Sequence, residues 1–341
     1  MMRAAVFFFS RQGGKTARRI AAFLRAEYDC RLFSPEKYAG DGVEPISCGI
    51  AAFTGTLMGE MAALVYVGAC GVAVRAIAPH IKSKATDPAV ICVDELGKFA
   101  VALLSGHIGG GNRLTDAIAS GIGAISVITT ATDVNGRFSV DTWATEQGYV
   151  IGSLDIAKAV SAAILEKDLP IYADVPIKGS LPSGLYTGDE GELGIAVSVQ
   201  TLSPFDKTLA LIPKVLTLGI GCRRGVPMEN IETVVLDVLA RHELDIRAVK
   251  DVASIDLKAD EEGLLDFCRK YGLNARFYSA EELLKVRGIF SASPLVQRVT
   301  GVENVCERSA AMGSGKIIVH KTAINGVTVA VAEAEWEVNF G

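Results

Sequence analysis

What most limits the folds open to this chain is a recurring order: an apolar run, a glycine-bearing turn, then apolar positions at helical spacing. Residues 3 to 9 supply the first run. After a turn with Gly13 and Gly14, the stretch Thr16 to Ala26 has the helical period. The order returns at Ala62 to Val67, where Gly68 leads to a helix expected from Val72. It returns again at Ala124 to Thr129, behind a helix expected over Asn112 to Ile122. Strands covered by helices on both faces are apolar throughout, so this alternation implies a mainly parallel sheet. Ala89 to Val93 and Phe99 to Leu104 are joined only by Asp94-Glu95-Leu96-Gly97-Lys98, a hairpin turn that makes part of the sheet antiparallel.

Residues 136 to 213 open with an amphipathic stretch from Val140 and contain the turn-rich segment Lys178 to Gly184. A fresh strand, Val215 to Ile220, then leads through a Gly-Cys-Arg-Arg-Gly loop to a helix over Met228 to Arg241 with Pro227 near its start. Arg276 to Tyr278, Lys316 to His320 and Val327 to Ala332 are the later strands. At 341 residues the chain exceeds what one core usually serves. The expected class is α/β and multidomain, with Rossmann-like, mainly parallel sheets in an N-terminal domain (1–135) and a C-terminal domain (214–341). A small middle domain (136–213) joins them.

A net charge of −5 argues against a nucleic-acid binder, whose footprint is normally basic. No apolar run approaches the roughly 20 residues of a membrane span. The start lacks the apolar length and cleavage site of a signal peptide, so a cytoplasmic protein is expected. Seven scattered cysteines without a C-x-x-C pair indicate neither a disulfide framework nor a zinc cluster, and no metal site is expected.

The turn Phe9 to Thr16 ends like a phosphate-binding loop but has Phe where the leading glycine belongs. Leu218-Gly219-Ile220-Gly221-Cys222-Arg223-Arg224-Gly225 resembles a dinucleotide fingerprint with one residue too many. More informative is the end of the strand Phe99 to Leu104. There Ser105, Gly106, His107 and the glycines 109, 110 and 111 lead through Asn112 into a helix. Such a loop offers backbone N–H donors at a strand's carboxyl end, where α/β proteins bind ligands, and Asn112 also suits a helix cap. His107, one of four histidines, titrates near neutrality and suits proton transfer. His80 and His242 read as structural. The segment Arg75 to Pro88, with Lys82 and Lys84, is either a carboxylate-binding rim or a solvated basic loop. Asp94 and Glu95 suit either turn chemistry or acid–base work.

Gly55-Thr56, Val72 to Pro79, Lys84 to Val90, Asp94-Glu95, Leu103 to Asn112 and Val127 to Asp133 together resemble the amino-terminal part of the CbiG family. Leu218 to Arg223 and Gly301 to Glu307 resemble the module that CbiG and CobE proteins share. Gly111 departs from the pattern, where alanine is expected.

The resemblance implies a hydrolase of anaerobic cobalamin (vitamin B12) biosynthesis that acts on cobalt-precorrin-5A. It would open the ring-A lactone, release acetaldehyde by a retro-aldol-like cleavage, and leave cobalt-precorrin-5B. His107 is then the expected acid or base, oriented by Asp94 or Glu95, with Ser105 an alternative nucleophile. Lys84 or the amides of Gly106, Gly109 and Gly110 would hold the oxyanion. Thr56, Asn112 and Asp133 join the substrate contacts, and Arg75, Lys82, Lys84, Arg113, Arg223 and Arg224 would meet the macrocycle's carboxylates. Cobalt arrives with the corrinoid substrate and no other cofactor is implied. A homodimer and transient contacts with pathway methyltransferases are the expected protein partners. The alternatives are a non-catalytic tetrapyrrole carrier and a nucleotide binder using Gly13-Gly14-Lys15-Thr16.

Overall fold

The apolar runs are the strands of the computed structural model, which describes all residues except 84–85, 108, 313–314 and 341, and the side chain of Leu295. The chain divides into two compact units, Met1–Trp143 and Ala144–Gly341. In the first, β1 (Met2–Phe8), β2 (Tyr28–Ser34), β3 (Val43–Pro45), β4 (Ala63–Val67), β5 (Ala89–Val93), β6 (Phe99–Leu104) and β7 (Ile125–Val127) form a sheet in the order β3-β2-β1-β4-β5-β6-β7. The helices are α1 (Arg11–Leu24), α2 (Ile50–Leu57), α3 (Cys70–Ile77), α4 (Gly111–Ile122), α5 (Ala131–Val134) and α6 (Val140–Glu146).

Alternate residues of β1 serve opposite faces, as strand geometry requires. Ala4, Val6 and Phe8 pack with Ile20 of α1 and Ile118 of α4. Ala5 and Phe7 pack with Leu57 of α2 and Ala73 of α3. Burial on both sides is why β1 and β4 read as unbroken apolar runs. The sheet is parallel except where β5 meets β6. That exception turns β6 around, and β7 runs parallel to β6. Leu104 therefore pairs with Val90, and the carboxyl ends of β6 and β7 lie at the edge where β5 begins.

The first glycine pair is not a loop. Ser10 caps α1, its Oγ accepting from the Gly13 N–H at 3.0 Å, so Gly13 and Gly14 sit inside the first helical turns. A Cβ on Gly14 would meet the Phe8 ring at 2.9 Å. These glycines let α1 lie close on β1, and the phosphate-loop reading falls with them.

The second unit contains β8 (Val150–Ile151), β9 (Leu169–Ala173), β10 (Ile177–Lys178), β11 (Leu185–Thr187), β12 (Leu193–Val197) and β13 (Lys207–Ile212), with α7 (Leu154–Ala163). Five of these form the sheet β11-β9-β12-β13-β8. A second sheet, β16-β15-β14-β18-β17, comprises β14 (Leu216–Cys222), β15 (Val249–Ile255), β16 (Asn274–Tyr278), β17 (Gly315–Ile324) and β18 (Val327–Ala334). Its helices are α8 (Met228–Arg241), α9 (Glu262–Tyr271), α10 (Ala280–Lys285), α11 (Pro294–Thr300) and α12 (Cys306–Met312). β19 (Val338–Asn339) pairs with β10.

This second sheet is only half parallel. β14, β15 and β16 run together, whereas β18 and β17 form an antiparallel hairpin. Asn325 and Gly326 both take positive φ at its tip, as a two-residue turn between twisted strands demands. The fold is thus α/β and multidomain, with mixed, mostly parallel sheets. Among the described residues no helix is long and apolar enough to cross a membrane.

The fingerprint-like glycines of β14 also have packing tasks. A Cβ on Gly219 would stand 1.8 Å from the Cys306 carbonyl oxygen, and one on Gly221 2.6 Å from Thr328 Oγ1. They let α12 and β18 approach the strand. β14 continues through Cys222, so there is no dinucleotide loop at these positions.

Candidate functional site

The site grows from the reversed end of β6. Past Leu104, Ser105 takes a left-handed backbone (φ 55°), and the chain folds back through Gly109 and Gly110 (φ 71°) into α4. A Cβ on Gly109 would lie 2.4 Å from Ser105 Cβ, so glycine is required for the return. At Gly111 a Cβ would stand 2.9 Å from the Leu104 carbonyl oxygen. The alanine expected there would need the loop backbone to shift.

This fold-back presents His107 to two carboxylates. Its Nε2 lies 3.0 Å from Asp133 Oδ2 and its Nδ1 3.2 Å from Asp141 Oδ1. Thr132 Oγ1 is 3.3 Å from Nε2. Asp133 belongs to α5, which follows β7, and Asp141 to α6. The parallel pairing of β6 and β7 is therefore what brings the acids to the histidine. Asp133 Oδ2 also accepts from Asn112 Nδ2 at 2.9 Å and from the Thr130 hydroxyl. Asp141 is buried, and its Oδ1 also accepts from Ser139 Oγ and the Thr142 N–H.

Hydrogen bonding to Asp141 is the largest influence on His107, and the Asp133 bond adds to it. Burial opposes both, and the net result holds the imidazole protonated above its usual range. Both ring nitrogens face carboxylate oxygens, a setting that favours the imidazolium form.

Several sequence expectations change. Asp94 and Glu95 do not orient His107: they sit in the hairpin turn at the start of β6, whereas His107 follows its end. At about 3.4 Å per residue, six residues put roughly 20 Å between them. Asp94 instead ties its turn, its carboxylate accepting from the N–H groups of Leu96, Lys98 and Phe99. Ser105 donates its hydroxyl to the Asp87 carbonyl oxygen at 2.9 Å, and His107 has other partners, so the Ser105 nucleophile loses its base. The Gly110, Gly111 and Asn112 N–H groups bond back to the His107, Ser105 and Gly106 carbonyls and are not open oxyanion donors. Asn112 does not cap the helix, a position Gly110 holds. The Asn112 amide nitrogen instead donates to Thr130 and Asp133, while its Oδ1 is buried without a partner among the described residues.

Of the expected substrate contacts, Asp133, Asn112, Gly106, Gly109 and Gly110 surround His107. Lys82 is in the segment that Asp87 gathers, its carboxylate accepting from the N–H groups of Lys82 and Ser83. That segment meets the loop through the Ser105–Asp87 bond. Lys84 lies outside the described residues. Arg75 is exposed on α3, and burial raises the Tyr28 phenol's pKa, with Arg113 near enough to offset part of that rise. Thr56 is exposed on α2, its hydroxyl returning to the Phe53 carbonyl. Beside it, Gly55 makes room for the His80 ring, which bonds the Ala51 carbonyl oxygen at 2.7 Å as a structural group. Arg223 and Arg224 belong to the second unit. Asp141, which no motif marked, had only the amphipathic onset at Val140 as a signal.

Among the described residues no cluster of His, Cys, Asp or Glu is arranged as a metal site. The family described as "Cobalamin synthesis G N-terminal" matches residues 52–133, and "Cobalamin synthesis G C-terminus" matches residues 216–332. A Priestia megaterium protein named cobalt-precorrin-5A hydrolase is 30% identical over 352 residues, covering 96% of this chain and 94% of its own. One of the same name from Salmonella typhimurium is 31% identical over 345 residues, covering 97% of each. Protein CobE from Sinorhizobium is 31% identical over 121 residues, 34% of this chain and 79% of its own. With such likeness running almost end to end, the chain belongs to the CbiG family.

Proposed function

We propose that this chain is a cobalt-precorrin-5A hydrolase, opening the ring-A lactone of its cobalt-corrinoid substrate and releasing acetaldehyde to leave cobalt-precorrin-5B. The observation that carries the reading is the end-to-end likeness to two proteins of that name. The His107 cluster offers a matching chemistry.

Lactone hydrolysis needs an acceptor for the proton of the attacking water and a donor for the departing alkoxide. With its pKa raised by the two carboxylates, His107 serves as the donor. Asp133 is the acceptor: Oδ2 gathers Thr130, Asn112 and His107, while Oδ1 has no hydrogen bond among the described residues. Water adds to the carbonyl carbon and its proton passes to Asp133 Oδ1. The carbon–oxygen bond of the lactone then breaks, and the alkoxide takes the Nε2 proton of His107. The products are a carboxyl group and the hydroxyl that permits carbon–carbon cleavage, and transfer of the Asp133 proton to His107 restores the starting proton distribution. Asp141 is a positioning residue that fixes the ring through Nδ1 and keeps it charged. Asn112 Oδ1, a buried acceptor without a partner among the described residues, suits a substrate donor or the attacking water.

The three-part division at residues 135 and 213 belongs to the same proposal, with the sheet of β8, β9, β11, β12 and β13 as the middle piece. Purified protein incubated with cobalt-precorrin-5A should release one equivalent of acetaldehyde. Intact substrate recovered from folded protein would reject the reading, and tight binding with unchanged ligand mass would favour the carrier instead.

A further inference from the structure

The second unit contains a cavity of about 730 Å³ at the carboxyl ends of β14 and β15, toward the upper part of the ordinary range for ligand pockets. Parallel strands of α/β sheets usually present ligands at that edge. The cavity is bounded on one side by Cys222, Arg223 and Ile255, and on the other by α11 and the tip of the β17–β18 hairpin.

Its walls are mostly apolar, and three of its hydroxyls are occupied. Ser254 donates to the Ile220 carbonyl oxygen, Thr328 to that of Gly221, and Thr300 to that of Val296. At the rim, Val299 is 71% and Leu257 52% exposed, an apolar margin without a partner.

The charges on the lining are all positive, and they fall into two pairs. Arg224 is neutralised by Asp260 and Glu261, and Lys258 by Glu261. Among the described residues the Arg223 guanidinium and the Lys321 ammonium have neither a hydrogen bond nor an ion pair. The main chain of both is nevertheless held in place, and the Arg223 side chain with it. The Arg223 side chain crosses Gly326, where a Cβ would stand 3.0 Å from Arg223 Cδ, and its N–H donates to the Gly326 carbonyl. The Lys321 N–H donates at 2.7 Å to Glu307, a fully buried carboxylate that also accepts from Ser291 and Asn304. In a chain with 39 acidic and 34 basic residues, two uncompensated cations on an apolar cavity call for an anion with an apolar body.

We infer that this cavity binds a tetrapyrrole polycarboxylate, with the macrocycle against Val296, Val299 and Ile324 and carboxylates on Arg223 and Lys321. The ligand's identity as a tetrapyrrole rests on the function proposed above; the cavity and its free cations do not. The cavity is lined by residues of the second unit alone.

The test is a fluorescence titration of the full chain with uroporphyrin, an octacarboxylate. Arg223→Glu and Lys321→Glu should each weaken binding at least about tenfold, with the loss shrinking at high salt. Val299→Glu, at an exposed position that need not disturb folding, should weaken it as well. Lys158→Glu, a surface charge change elsewhere in the second unit, should leave it unaltered. Equal affinity in every variant, or an equal loss in Lys158→Glu, would overturn the inference. A wild-type chain that binds uroporphyrin through this cavity yet releases no acetaldehyde from cobalt-precorrin-5A keeps the site and rejects the hydrolase. Acetaldehyde release with binding indifferent to all three cavity variants does the reverse.

Discussion

The edge carrying His107 and the edge carrying Arg223 are built in opposite ways. At the first, an imidazole whose charged form is favoured sits between two carboxylates, each ring nitrogen facing one of them. At the second, two of the four cations on the lining of an apolar hollow have no partner among the described residues. Compensated charge in a tight cluster suits proton movement, because the partners set the protonation state. Uncompensated charge beside apolar surface suits capture, because the ligand supplies what is missing. The contrast teaches that cationic residues close to a strand end are not one kind of signal; what faces them decides the task.

Among the partners of His107 the largest expected effect is at Asp133. Replacing it with Asn removes the proton acceptor and should lower acetaldehyde release by about a hundredfold or more, with binding of uroporphyrin unchanged. Parallel losses of rate and binding would erase the distinction between the two edges. Gly219→Ala is next: with the Cys306 carbonyl 1.8 Å from the new methyl, the second unit should lose at least about 1–3 kcal/mol in denaturant unfolding. A neutral result would mean that α12 is free to move away from β14.

Asp94→Ala should cost about 1–2 kcal/mol of stability through its three backbone hydrogen bonds, with no specific fall in rate. A rate loss beyond that of unfolding would restore Asp94 to the chemistry. The smallest effect concerns pH. The partners raise His107 above its usual 6.5, so the imidazolium's stabilising contribution is full below that value and fades as pH rises through the raised one. Asp141→Asn removes the largest cause, and the alkaline fall of both rate and stability should move to lower pH. An unmoved limb would show that Asp141 does not set the charge of His107.

How much of this was legible in the sequence follows from what each signal measures. Apolar runs and helical periods disclosed β1, β4, β5, β6 and α4, because burial on two faces is a local property. The hairpin between β5 and β6 was legible too, since five turn residues leave no room for a crossover. Its consequence was not. Reversing β6 moves His107 a strand's length from Asp94, and only the pairing of β6 with β7 reveals that Asp133 and Asp141 are the true neighbours. Asp141 was hidden for a second reason: it opens a helix in a stretch read as the start of a connecting domain. The glycines misled in a consistent way. Gly13, Gly14, Gly219 and Gly221 look like ligand loops but serve close packing, a use that depends on a partner distant in the chain. The unpaired state of Arg223 and Lys321 was equally invisible, because a residue's lack of an ion pair is a fact about its whole surroundings.

The most direct test of the central claim is single-turnover release of acetaldehyde from cobalt-precorrin-5A by folded wild-type protein and by His107→Ala at neutral pH. A fall of about 10²–10⁴-fold in the variant is the predicted result; an unchanged rate would contradict the assignment of His107 between Asp133 and Asp141 as the centre of proton transfer.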